Sequence, residues 1–266
     1  MPHGVTWFHF LPGFNQLRDY FHHTWEQSAL VGSKDFLIQH VLGAILVLIV
    51  LMILSLMARS RLKDLEKNIV PDGKFGVFSF FEMVIETVYN MMKDVIGPDA
   101  KRYFPLIGTL ALYIFFCNAL GLVPGFDPPT NNVSTNAACA LTVFLYYNYH
   151  GLRVNGLGHI AHMANPVGTW WGWFLAPIMF PIELIGHLAR PMSLTLRLMG
   201  NMTGDHAVVL GFAALVPFLV PIPFQILGLL VCVIQAMVFC LLTMVYIGLA
   251  VEEQHHGGEE EHAHAH

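Results

Sequence analysis

The 266-residue chain is 55% apolar and only 12% charged, and its formal net charge is −5. Soluble domains are about one-quarter charged, so this chain has too few charged residues to cover a water-exposed surface. The composition therefore predicts an integral membrane protein, and the negative net charge argues against nucleic acid as a partner. The four cysteines lie in apolar runs without a C-x-x-C pair, which argues against a disulfide framework or a zinc site.

The first predicted span covers residues 36–58, an apolar run long enough to cross about 30 Å of hydrocarbon. Four basic side chains follow it, at Arg59, Arg61, Lys63 and Lys67. Because basic residues that flank a span stay in the cytoplasm, residues 1–35 are predicted to form an outer N-terminal segment. Residues 75–96 are apolar at helical spacing and charged on the other face, which predicts an amphipathic helix on the inner membrane surface.

Two further spans are predicted over residues 103–123 and 133–149, and the loop between them carries no lysine or arginine, as expected of an outer loop. Beyond residue 168, the chain is predicted to form two long apolar helices joined at a proline-rich turn. Each is longer than a perpendicular crossing needs, so both are predicted to tilt strongly.

The whole pattern predicts an all-α polytopic membrane protein with about five membrane helices and one amphipathic surface helix. The membrane domain is predicted to cover residues 36–251. The remaining tail, residues 252–266, is acidic and histidine-rich, which predicts a disordered cytoplasmic segment.

The first of the two long helices carries ionisable groups, which are costly in a bilayer and by default mark an ion or proton pathway. At 100° per residue, Glu183, Arg190 and Arg197 fall within roughly 40° of one another, with Asn201 one turn further on. His206 lies about half a turn out of phase and roughly 13 Å beyond Arg197, so His206 and its neighbour Asp205 are predicted to face another partner. A purely structural arginine, paired with a glutamate or snorkelling to the interface, is the alternative.

Four stretches give this pattern a specific resemblance. The stretch RPMSLTLRLMGNM (190–202) resembles a signature of subunit a of the F-type ATP synthase, and QAMVFCLLTMVY (235–246) resembles the final-helix signature of that family. YFPLI (103–107) and NALGLVP (118–124) resemble the entry and exit of the second span in that family. The resemblance runs in order from about residue 36 to residue 253.

The resemblance implies a proton-conducting stator beside a ring of c subunits, with stator-stalk subunits of the b type as further partners. Two offset half-channels would lead to and from the ring carboxylates, and an arginine would separate them. The residues implied for proton translocation are Arg197, Glu183, His206, Asn201, Gln235 and Asp205. The resemblance also implies a bacterial inner-membrane location, with the N-terminus outside and the C-terminus in the cytoplasm. No catalytic site, cofactor or bound nucleotide is expected, and no Walker-type G-x-x-x-x-G-K-[ST] occurs.

The sequence departs from the family pattern at three places. Gly228 stands where the family often has a histidine or glutamate, seven residues before Gln235. Asn131 and Asn132 stand near a position that is often acidic, and Gly186 replaces a polar residue. The outer half-channel is therefore expected to route its water differently in this protein.

Two rival functions are a self-contained secondary transporter, in which Arg197 binds an anionic substrate, and a membrane scaffold whose charges only pair helices. The transporter would be expected to show an internal repeat, which the sequence lacks. A metal site is a weaker rival, because His159 and His162 form only a short H-x-x-H and the Glu252/His255 pair has no partner helices.

Two smaller groups of residues receive structural interpretations. His40 and His187, in apolar helices, are interpreted as hydrogen-bonded or interfacial side chains. The aromatic residues near the third span are interpreted as interface anchors, namely Tyr146, Tyr147, Tyr149, Trp170, Trp171 and Trp173.

Overall fold

In the computed structural model, the described residues are 7–10, 14, 16, 37–62, 76–123, 125–155, 172–215 and 221–263, and these residues form six α-helices and no strand. The helices are α1 (Leu37–Leu62), α2 (Val77–Ile96), α3 (Ala100–Leu120), α4 (Val133–Asn155), α5 (Gly172–Leu215) and α6 (Pro221–Ala263). Short 3-10 turns occupy Trp7–Phe10 and Pro129–Asn131. The all-α prediction is confirmed over these ranges.

Three helices are long and apolar enough to cross a membrane, over Gln39–Arg59 in α1, Ala100–Leu120 in α3 and Ile222–Ala250 in α6. They match the first, second and last predicted spans. Helices α4 and α5, with 23 and 44 residues, are also long enough, but their described side chains do not reach the same hydropathy. The total of five membrane helices and the tilt of the long pair therefore stay predictions.

Glycine and proline residues affect the ends and the interior of these helices. Helix α2 ends at Gly97, whose φ of +82° is a left-handed conformation that glycine adopts without a steric cost. Helix α5 continues through Pro177, Pro181 and Pro191, although proline donates no backbone hydrogen bond. The predicted amphipathic segment, 75–96, and the predicted long pair of helices are both present as helices.

The core lies where α2, α3, α4, α5 and α6 meet. The most deeply buried side chains there include Met92, Tyr103, Tyr147, Leu198, Met244 and Ile247. Helix α2 packs against α3 and α6, so its apolar face lies partly on protein, whereas the sequence predicted a helix on the inner membrane surface. Helix α1 stays at the periphery, and only 11% of its span is buried, which leaves its apolar side chains on the outside of the bundle.

The 3-10 turn Pro129–Asn131 and the adjacent Asn132 tie four helices together through side-chain hydrogen bonds. Thr130 donates to Asn118 of α3 (2.6 Å), Asn136 of α4 donates to the Thr130 carbonyl (2.6 Å), Thr203 of α5 donates to Asn131 (2.8 Å), and Asn132 bonds His40 of α1 (3.3 Å). His40 is therefore a hydrogen-bonded side chain, as predicted. Asn131 and Asn132 therefore serve as structural ties between helices.

The last helix is longer than the final predicted span. Helix α6 runs to Ala263 and so includes most of the tail for which the composition predicts disorder. Glutamate, glutamine and alanine are strong helix formers, and extending an existing helix avoids the cost of nucleation. These two effects account for the continuation of α6 beyond the apolar segment.

Candidate functional site

Arg197 lies on an exposed face of α5. The residues next to it on this face, Ser193 and Asn201, are also exposed. The neighbouring Leu196, about 100° around the helix, is 60% exposed. Within the described part of the chain, no carboxylate forms an ion pair with Arg197, since the two ion pairs on α5 both involve Glu183. An ionised side chain within a membrane protein is costly unless it is paired, and by default it indicates a functional site. Arg197 is therefore a candidate functional cation of α5.

A short hydrogen bond joins α5 to α6 one turn beyond Arg197. The side-chain nitrogen of Asn201 donates to the side-chain oxygen of Gln235 at 2.6 Å. Gln235 is almost fully buried, whereas Asn201 is exposed. The structure thus brings together two of the residues that the sequence singled out, and the bond fixes how the two long helices meet beside the arginine.

Asp205 and His206 line a small cavity between α3, α5 and α6, which we call the His206 cavity. Its volume is about 50 Å³, and its wall also includes Asn118, Gly121 and Gly228. A water molecule needs roughly 10–15 Å³ of such space, so the cavity is large enough to hold water. The predicted orientation of Asp205 and His206, toward neighbours other than those of Arg197, agrees with this placement.

Two glycines keep the His206 cavity open. A Cβ atom on Gly121 would lie 2.8 Å from Pro128 and 3.1 Å from the Nε2 atom of His206. A Cβ atom on Gly228 would lie 2.9 Å from the Cδ2 atom of Leu122, so any larger residue there must displace the end of that leucine. Gly228 therefore contributes space to the cavity where the family often contributes a titratable side chain.

Asn118 adds a polar group to this cavity that the sequence analysis did not single out as functional. The Thr130 hydroxyl occupies its side-chain oxygen, and its side-chain nitrogen is buried without a partner in the described part of the chain. Buried polar groups are almost always hydrogen-bonded to protein or to water. In the sequence, the only indication of a functional role for Asn118 is that it is a polar residue within an apolar run.

Glu183 lies in a second polar group, which we call the Glu183 cluster. The Oε1 atom of Glu183 lies 3.7 Å from the Nε2 atom of His187 and 4.0 Å from the Nη2 atom of Arg190. His187 is 7% exposed, and its Nδ1 atom lies 3.1 Å from the hydroxyl of Tyr147 on α4. His187 is therefore hydrogen-bonded, as predicted. Of the charged residues predicted to share one face of α5, Glu183 and Arg190 belong to this cluster, and Arg197 lies apart from it.

The role of Tyr147 differs from its predicted one. The sequence groups it with interface aromatics, but Tyr147 is 1% exposed and contacts His187, whereas Tyr149 is 59% exposed. Both lie in the run YYNYH, so the composition of the run does not show which ring faces the protein. The rotation of α4 about its own axis decides which ring faces the protein, and the packing of α4 on α5 sets that rotation.

Over the described ranges, no three or more histidine, cysteine or carboxylate side chains come together as a group able to hold a metal ion. The four cysteines are buried and free. The candidate pair His159 and His162 lies outside the described residues, as do the anchors Trp170 and Trp171.

Comparison with known proteins places these features in one family. The model of the family described as ATP synthase A chain matches residues 41–248. The chain is 47% identical over 210 residues to ATP synthase subunit a of Geobacter sulfurreducens, covering 79% of this chain and 86% of the relative. It is 46% identical to ATP synthase subunit a of Trichlorobacter lovleyi (79% and 85% coverage) and 43% identical to that of Sorangium cellulosum (80% and 82%). With matched segments that contain Arg197, the Glu183 cluster and the His206 cavity, the chain belongs to the ATP synthase subunit a family.

Proposed function

We propose that this chain is the proton-conducting stator subunit of the ATP synthase Fo sector. In this proposal, Arg197 faces the carboxylates of a rotating c-ring and separates two offset half-channels. The His206 cavity, with Asp205 and Gln235, belongs to the outer half-channel. The Glu183 cluster belongs to the inner one.

The observation that carries the proposal is Arg197, an exposed cation in the middle of a long helix, with no carboxylate paired to it among the described residues. Its position along α5 supports the same conclusion. Glu183 precedes Arg197 by about 21 Å of helix and His206 follows it by about 13 Å, at about 1.5 Å per residue. The two polar sites are therefore separated by about 34 Å along the axis of α5, with the cation between them.

The proposed mechanism uses the fixed charge of Arg197. A proton enters through the His206 cavity and binds a ring carboxylate, which can then move into the lipid as a neutral acid. After almost a full rotation, the carboxylic acid meets the inner half-channel and releases its proton toward Glu183. Arginine does not give up its own proton, so it attracts the bare carboxylate and blocks direct proton passage between the half-channels. Each proton that crosses 100 mV releases about 2.3 kcal/mol.

The surfaces of the chain support the proposed partners and location. The side chains of α1 point outward along most of its length, which suits contact with lipid and with stalk subunits of the b type. The basic residues that follow the first span support a cytoplasmic C-terminus and an outer segment at residues 1–35. We propose the bacterial inner membrane as the location, with residues 36–251 as the membrane domain and residues 252–266 as a cytoplasmic tail.

The test is substitution of Arg197 in the intact complex. Arg197→Ala should abolish proton-driven ATP synthesis in membrane vesicles while the complex still assembles. Arg197→Lys should also lose most of the rate, because a desolvated ammonium can release its proton and lacks the planar fork of a guanidinium. Arg59→Ala, an exposed arginine at the end of the first span, is the matched control and should synthesise ATP normally. Near wild-type synthesis by the lysine variant would contradict the fixed-charge mechanism.

A further inference from the structure

We propose that Tyr147 and His187 position the Glu183 carboxylate through which protons leave the inner half-channel. The inference rests on the proposed function and deepens it, since it assigns roles to two residues of different helices. Neither residue is among those that the family signature implied for proton translocation.

The hydrogen bond between Tyr147 and His187 determines which ring nitrogen carries a proton. The Tyr147 hydroxyl lies 3.1 Å from Nδ1 of His187, and both side chains are more than 90% buried. A neutral imidazole has one accepting and one donating nitrogen. When the hydroxyl donates to Nδ1, the proton of the neutral ring must lie on Nε2. In the proposed arrangement the hydroxyl donates, and Tyr147 thereby sets the tautomer of a ring on another helix.

The selected tautomer directs its N–H toward Glu183. The Nε2 atom lies 3.7 Å from Oε1 of Glu183, one turn earlier on α5. Arg190 lies 4.0 Å from the same oxygen. The Glu183 side chain is 44% exposed, so without these two groups it would be free to occupy several rotamers. Both separations are longer than a direct hydrogen bond, so His187 and Arg190 attract one carboxylate oxygen electrostatically and leave the other side of the carboxylate open.

The charged and titratable groups around His187 come from three helices. Glu183 and Arg190 share α5 with it, and Tyr147 faces it from α4. From α6, the ring of Tyr246 lies under the Arg190 guanidinium at 5.2 Å and beside the Tyr147 ring at 6.1 Å. The position of Glu183 thus depends on the packing of α4, α5 and α6 together.

The proton step needs no further reactant. Protonated Glu183 loses the proton of its carboxylic acid to water on its exposed side, and only that O–H bond breaks. The resulting carboxylate is stabilised by the Nε2–H group of His187 and by Arg190. His187 keeps its own proton throughout, so it is a positioning residue, and Tyr147 acts through it.

The experiment measures ATP-driven proton pumping by the intact complex in inverted membrane vesicles over a range of pH. Pumping runs the proposed path in reverse, so Glu183 takes up the proton from water on its exposed side before it passes to the ring. Tyr147→Phe keeps the buried ring and removes the hydroxyl, and should lower the pumping rate about three- to tenfold, the effect of losing one hydrogen bond. Tyr146→Phe is the matched control, because Tyr146 contacts His150 and Tyr103 instead, and it should pump at the wild-type rate. Rates are divided by the amount of assembled complex in the same membranes.

Two variants of His187 separate positioning from proton relay. His187→Gln supplies an amide N–H that can reach Glu183 but does not titrate, so it should keep more than half of the rate and the wild-type pH profile. His187→Leu should lose at least as much rate as Tyr147→Phe. Combining Tyr147→Phe with His187→Leu should cost no more than His187→Leu alone, since the hydroxyl acts through the imidazole.

Three results would overturn the inference: equal rates for Tyr147→Phe and Tyr146→Phe, a glutamine variant as slow as the leucine variant, or additive losses in the double variant. Arg197→Ala in the same vesicles tests the proposed function separately. If Arg197→Ala still pumps, the proposed function fails whatever the Tyr147 variants do. If Arg197→Ala is inactive and the Tyr147 variant is normal, only the positioning role fails.

Discussion

Removing the amide donor of Asn201 should destabilise the contact between α5 and α6 more than its exposed position suggests. The Asn201 amide donates to Gln235 at 2.6 Å, and Gln235 is 3% exposed. Asn201→Leu leaves the buried Gln235 oxygen without its donor, which costs about 1–3 kcal/mol. Gln235→Leu removes the buried partner itself and leaves an exposed asparagine, so its cost should be smaller. The double variant replaces both polar groups and should recover part of the loss, with a coupling of about 0.5–3 kcal/mol.

The assay is thermal denaturation of the purified complex in detergent, followed as the loss of assembled complex. The expected order of stability is wild type, then the double variant, then Asn201→Leu. Ser55→Leu, at an exposed polar residue of α1, is the control and should match the wild type. Additive losses in the double variant, or an Asn201→Leu complex as stable as the control, would refute the reasoning.

Two further predictions concern the orientation of the chain and the outer half-channel. A membrane-impermeant thiol reagent should label a cysteine at Asp127 from outside and one at Lys63 only from inside, and the reverse pattern would overturn the orientation. His206→Ala should slow proton uptake more than Asp205→Asn, because a neutral imidazole can accept a proton at one ring nitrogen and donate one from the other. Gly228→Glu should partly restore flux in the His206→Ala background by returning an acid to the cavity wall. Wild-type flux in His206→Ala membranes would show that water alone fills this half-channel.

The sequence predicts the positions of the helices better than it predicts which side chains of different helices come into contact. Hydropathy and the proline-rich turn place α1, α3, α5 and the start of α6 within a few residues, since the bilayer imposes the length of an apolar helix. Periodicity also separates His206 from the stripe of Arg197, because both residues share one helix. The sequence does not place Tyr147 beside His187 or Asn118 in the His206 cavity. Such contacts depend on the rotation of one helix against another, which a one-dimensional pattern does not contain.

The hydrogen-bonded turn Pro129–Asn131 has a mechanical consequence. A rotor that turns against its stator exerts a sideways load, and in the proposed function that load enters the chain on α5 near Arg197. Thr203, also on α5, is bonded to Asn131, and the turn is bonded in turn to α3 and α4 and, through Asn132, to α1. Force applied to one helix is therefore shared by three others at the same end of the bundle. The hydrogen bonds of the turn oppose sliding of these helices past one another. In the proposed function, they would therefore maintain the arrangement of the His206 cavity and Arg197 while the ring rotates.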